Sequence, residues 1–371
     1  MFKVTNLVNG SILNKNDGDE TENFLEINVE GVSENLTDRI TVNGKVAARN
    51  RLAFKAPVRL TAEFNEIKVS TRNFYGEFQQ SLNVVWDKKS FKRYNFFIDD
   101  NVFFLTDIAK GNFKSLFDHF YLKKLKELNN NYGTKFTLNL FYRNDHSPFM
   151  LKDFPDRYKA EWQKNSEWLK LSFHAYSEFP DRPYQNAAPE KLAADYDLLK
   201  NEIIRFAGEE TFQPPVVIHW AMTPPDSFKV LKERGVKALS GQFINPKTYI
   251  GETDRAEAIT DIGYYRNIET ASYLLENGAF YDFENGLFFT KCNACCNLLP
   301  GDEIIRKLDR VLSRNIIGIA THEQYSFDYY HNYIPDHFER METAIRYLTE
   351  HAYRPIFFHD GLLGNEAWNL K

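Results

Sequence analysis

The 371-residue chain has little cysteine: three residues, all inside "KCNACCN", at Cys292, Cys295 and Cys296. An odd, clustered set cannot form a disulfide framework. A zinc site built on it would need a fourth ligand, and no second Cys/His cluster flanks this one, so small buried or reduced thiols are expected. A surplus of positive charge is also lacking. The net charge is −5 at pH 7, which gives no electrostatic case for a nucleic-acid partner. No segment reaches the roughly 18 consecutive apolar residues of a membrane span, so no membrane partner is expected. The opening "MFKVTNLVNGSILNKNDGDE" lacks the apolar core of a secretory signal, and a cytoplasmic location is the expectation. Aromatic residues, by contrast, are abundant at 15%, with 32 Phe and 20 Tyr. They suit a large core and, at a surface, stacking on the C–H faces of sugar rings.

The pattern changes once along the chain. Over residues 1–90, "FLEINVEG", "RITVNGKVAA", "LAFKAPVRL", "NEIKVSTRN" and "QQSLNVVWDK" are short alternating runs separated by turn residues. They predict a small all-β sandwich of immunoglobulin-like type, with a hairpin at Asn43-Gly44. Over residues 91–371, apolar runs alternate with helical stretches: "YNFFIDD", "TKFTLNLFY", "WLKLSFHA", "PPVVIHWA", "GVKALSGQF", "GLFFTKC", "NIIGIATHE" and "RPIFFHD". Strand-then-helix repetition predicts an α/β domain, an irregular (β/α)7-8 barrel. The long 242–284 section breaks the rhythm and reads as an insertion over the active end.

Polar residues gather at the ends of these runs. Asp99 and Asp100 end the first, His174 the third, His219 the fourth, and His322-Glu323 the seventh. In βα barrels the carboxyl ends of the strands carry the chemistry. Two adjacent carboxylates exceed what one helix cap needs, and a divalent cation would keep one ionised while its neighbour serves as base. His322 beside Glu323 suits acid–base work near neutrality. Glu178 reaches the same cation if the chain turns helically after His174. Trp220 reads as core or as a sugar platform, and Arg182 in "FPDRPYQN" as a loop residue or a substrate contact. His331, His337, His351 and His359 take no role.

These strings resemble the polysaccharide deacetylase superfamily of carbohydrate esterases. They resemble more closely a bacterial group that shares "KRYNFFIDDN", "LSFHA" and "THEQY" behind a β-sandwich, over nearly the whole chain. The resemblance implies Asp99 as base, Asp100 and His174 as metal ligands, and His322 as acid. Glu178 stands where that superfamily has the second histidine of His-x-x-x-His, and its Arg-x-Pro motif is missing. The third ligand is therefore open among His219, Glu178 and His322. The implied reaction is removal of acetyl groups from a carbohydrate by water on a divalent metal ion, zinc by preference. Two alternatives stand beside it: a metal-independent glycoside hydrolase and a non-catalytic glycan-binding protein. For the glycosidase, Asp99 and Asp100 should point to opposite faces of their strand, so that a distant Glu323 must partner one of them. The sandwich could shield the barrel, bind a long glycan, or join copies into a homo-oligomer.

Overall fold

A computed structural model describes residues 1–73, 76–241, 264 and 268–368. Contacts divide the chain into two compact units. One comprises Met1–Phe91, Ala279–Gly286 and Asn365–Lys371, the other Lys92–Gly278 and Leu287–Gly364.

The first unit holds two five-stranded sheets. In one, Leu25–Ser33 pairs antiparallel with Phe2–Val4, Gly18–Glu20 and Ala53–Leu60. In the other, Phe64–Asn73 lies antiparallel between Gly76–Trp86 and Arg39–Val42. Alternation does the sorting. Along Ala53–Leu60 every second residue is buried, giving Phe54, Ala56, Val58 and Leu60 to the interior. These join Ile67, Val69 and Val84 of the second sheet in one apolar cluster, so the sheets pack as a sandwich. Each large aliphatic side chain fully buried there contributes about 1.5–3 kcal/mol. The Asn43-Gly44 hairpin is present, both residues having positive φ (46° and 78°), as a two-residue turn between twisted strands requires.

The second unit is built on six parallel strands: β1 (Arg93–Asn101), β2 (Phe136–Phe141), β3 (Leu169–Ala175), β4 (Ala238–Gly241), β5 (Leu287–Cys295) and β6 (Ile316–His322). Their spatial order is β3-β2-β1-β6-β5-β4. Every residue of β1 is buried, as expected of a parallel strand covered on both faces. The helices include α1 (Phe103–Lys110), α2 (Phe120–Tyr132), α3 (Pro189–Ala207), α4 (Ile268–Asn277), α5 (Gly301–Asp309) and α6 (His337–Glu350).

Two expected strands differ. "RPIFFHD" pairs with β1 through Arg354 and Pro355 only. "PPVVIHWA" is not a strand: Pro214 and Pro215 have no N–H to give a ladder. The segment still bridges the two outer strands of the sheet. Gln213 N–H donates to the Leu171 carbonyl (2.9 Å) and Ser240 N–H to the Val216 carbonyl (2.5 Å). Most of the 242–284 section expected as an insertion lies outside the described residues. No helix among the described residues is long and apolar enough to cross a membrane.

Candidate active site

The site begins with a backbone irregularity. Asp100 has φ +62°, and the β1–β2 register slips between Ile98 and Asn101. A regular strand would send successive side chains to opposite faces. Here the left-handed residue turns Asp99 and Asp100 into the same cavity, of about 350 Å³. The expectation that they face apart is corrected by that turn. Arg182, Trp220 and Ala221 also have positive φ (53°, 64° and 50°). Such conformations cost about 1–3 kcal/mol each and gather at functional sites.

His174 ends β3. Its Nδ1 lies 3.1 Å from the Val217 carbonyl, which can only accept, so Nδ1 carries the hydrogen and Nε2 a lone pair. That Nε2 sits 3.1 Å from Asp100 Oδ1 and 3.0 Å from His219 Nδ1. His219 Nδ1 is 3.4 Å from the same carboxylate oxygen. One N–H on His219 cannot serve both neighbours. Among the described residues, Asp100 Oδ1 and His219 Nε2 are buried without a hydrogen-bond partner. Burial pushes His174 down to about 4, despite the pull of Asp100. Burial acts to raise Asp100 too, yet the imidazoles of His174, His219 and His322 hold it well below the usual carboxylate range so long as they carry protons, which the burial of His174 and His322 opposes. An ionised carboxylate facing an unprotonated ring is short of positive charge. Asp100, His174 and His219, with ligand atoms all within 4.8 Å of one another, have the mixed O/N donor set that a divalent cation such as zinc takes.

Asp99 behaves oppositely to its neighbour. Burial raises its carboxyl well above the usual range and the Asp100 charge adds to this, against the amide of Asn139, which donates to Asp99 Oδ1 at 2.6 Å. Gln324 donates to Asp100 Oδ2 at 2.9 Å. His322 lines the cavity, with Nδ1 2.9 Å from Asn297 Oδ1. An amide oxygen accepts, so Nδ1 holds the hydrogen and Nε2 the lone pair. Burial also lowers the pKa of this imidazole.

The expected partnership of Glu323 with His322 is absent. Glu323 is fully buried and accepts three backbone N–H groups at the start of α1: Val102 (2.6 Å), Phe103 (2.8 Å) and Phe104 (2.6 Å). Helix starts leave such donors unpaired, and Val102 has no capping side chain. Glu323 is therefore the cap, and neither Asp of β1 is. Glu178 lines the cavity but pairs with His146 at 2.5 Å, and His219 takes the place beside Asp100 and His174. Trp220 is 42% exposed at the cavity, and Arg182 lies over its ring with Cζ 5.2 Å from the centroid. Cys292 and Cys295 line the same cavity as buried free thiols, and Cys296 is buried as well.

Asn139, Asn297, Gln324 and the Val217 carbonyl went unread in the sequence. Asn139 had a signal, a lone amide inside the apolar "TLNLF". Asn297 lies just past the end of β5, while His174 and His322 lie in the last two residues of their strands.

No family model and no curated protein matches the chain. Among solved structures, one described as "Cyclomaltodextrinase" matches 90% of this chain and 83% of that chain, at 11% identity and a TM-score of 0.34. That likeness is too slight to assign anything. The expected membership of the polysaccharide deacetylase superfamily is corrected: no family model, of deacetylases or of any other group, matches the chain. Glu178, at the position of that superfamily's second histidine, is turned to His146, while Asp99, Asp100, His174 and His322 line one cavity. Metal-dependent removal of acetyl groups, drawn from that resemblance, falls with it.

Proposed function

We propose that the second unit is a hydrolase acting on a carbohydrate, with a glycosidic bond as its target. One observation carries the reading: the turn at Asp100 opens two neighbouring carboxyls into one cavity, where their surroundings push their pKa values in opposite directions. Environments that push paired groups apart in this way assign an acid and its charged partner. Asp99, kept protonated, gives its proton to the leaving oxygen. His322, with the Nε2 lone pair left free by Asn297, accepts a proton from the attacking water. Ionised Asp100 stabilises positive charge developing on the sugar ring. Glu178 and Asp181, also lining the cavity, are further carboxylates for the opposite side of the bond. The open face of Trp220 is the sugar platform, with Arg182 fixing its ring. The six strands and the 212–217 segment are read as the staves of an irregular βα barrel, and the sandwich as an immunoglobulin-like companion.

Asp100, His174 and His219 are the residues that would hold a divalent cation, zinc by preference. When bound it would polarise an oxygen and acidify a water. Its absence would leave the proton-donating role of Asp99 in place.

The test is reducing-sugar release from a panel of α- and β-linked oligosaccharides, with and without added zinc. Asp99→Asn should lower the rate by about 10²–10⁴-fold. Product from none of the panel would refute the hydrolase. Saturable oligosaccharide binding, unchanged in Asp99→Asn and without turnover, would make the chain a glycan-binding protein instead.

A further inference from the structure

A second cavity, of about 380 Å³, shares Cys292, Cys295 and Leu298 with the first but has a different chemistry. Lys291, Lys307, Arg310 and Arg314 line it, and no acidic residue among those described does. None of the four forms an ion pair among the described residues. Carboxylates close by in sequence are engaged elsewhere: Asp309 accepts the Tyr347 hydroxyl, Arg306 holds Asp302, and Arg340 holds Asp336. Four cations around one concavity without a counter-charge repel one another. Burial, and then the Arg314 charge, push the Lys291 ammonium below its ordinary pKa.

Arg314 is set in place rather than free. Its Nη2 donates to the carbonyls of Leu275 (2.8 Å) and Glu276 (2.5 Å) in the last turn of α4. Its side chain crosses Gly278, where a Cβ would stand 3.1 Å from Cδ and 3.2 Å from Nη1. The other nitrogen, Nη1, is buried with no hydrogen-bond partner among the described residues. A fixed guanidinium with an unused buried donor, beside three further cations, is the donor geometry that oxyanions fill.

We propose that this cavity binds an oxyanion of the phosphate class, free or as the head of a phosphate ester, through Lys291, Lys307, Arg310 and Arg314. The site is independent of the hydrolytic reading. Arg314 supplies the directed donor, Lys291 the half-buried charge, and Lys307 and Arg310 the charges at the exposed edge.

Calorimetric titration of the whole chain tests this, with inorganic phosphate and glucose 6-phosphate as probes and sodium chloride at matched ionic strength as control. Saturable binding of at least one probe is expected, and the double variant Lys307→Gln/Arg310→Gln should weaken it by about tenfold or more. Both side chains are exposed, so the variant should keep its circular-dichroism melt. Tighter binding of the sugar phosphate would mark an ester site, and equal binding a site for the phosphate group alone. Heat no greater than that of chloride, or unchanged affinity in the double variant, would overturn the proposal.

Discussion

Glu323→Ala separates two accounts of the same residue. If Glu323 served His322, its loss would alter chemistry and spare the fold. The structure gives it three backbone N–H donors at the start of α1, all buried. Removing the acceptor leaves Val102, Phe103 and Phe104 unsatisfied. A buried donor without a partner costs about 1–3 kcal/mol, so the loss of three should total about 3–9 kcal/mol. That is a large part of the roughly 5–15 kcal/mol that holds a domain folded. Glu323→Gln keeps one accepting oxygen but turns an amide towards the remaining donors, and should fall between wild type and Ala. Urea unfolding should be followed by a probe within the second unit, such as the fully buried Trp162, because a two-unit chain need not melt in a single step. An Ala variant as stable as wild type, with altered His322 titration, would refute the capping role.

Acid should weaken the second unit. His337, held between the hydroxyls of Thr321 (2.6 Å) and Ser326 (2.7 Å), is pushed down to about 3 by burial, as is His359. A folded-state pKa below the unfolded value gives stability that is fully present above about pH 6.5 and lost as pH falls towards 3. Between pH 7 and pH 5 each histidine should cost about 2 kcal/mol. Urea midpoints should show the slope, His337→Gln should remove about 2 kcal/mol of it between pH 7 and pH 5, and a flat profile would refute the assignment. Asn297→Asp sets a carboxylate beside His322 Nδ1 and should raise that imidazole's pKa by about 1–3 units. Nitrogen-detected NMR reads this directly, and an unchanged tautomer in Asn297→Ala would show that Asn297 does not fix the ring.

Where the sequence was informative, side-chain periodicity and strand ends carried the information. The apolar runs before Asp99, His174 and His322 became β1, β3 and β6, because continuous burial of a parallel strand leaves a continuous apolar signature. The run before His219 misled, since Pro214 and Pro215 keep it out of the ladder while its neighbours still bridge the outer strands. Nothing in "IDDN" announces a left-handed Asp100, because tertiary packing and not local preference sets that conformation. Glu323 was misread because adjacency to His322 in sequence is not adjacency in space. Along a strand end, neighbours face apart, and this carboxylate faces the next helix. The cationic cavity was invisible because its four charges come from residues 291 to 314, spread over a strand, a helix and a turn.

The central claim is that Asp100, His174 and His219 form a site short of positive charge. Calorimetric zinc titration of chelator-treated protein tests it most directly, comparing wild type with Asp100→Asn and His219→Ala. A single equivalent should bind to wild type, with affinity at least about tenfold lower in either variant. Zinc that fails to bind, or that binds all three proteins alike, would contradict the account.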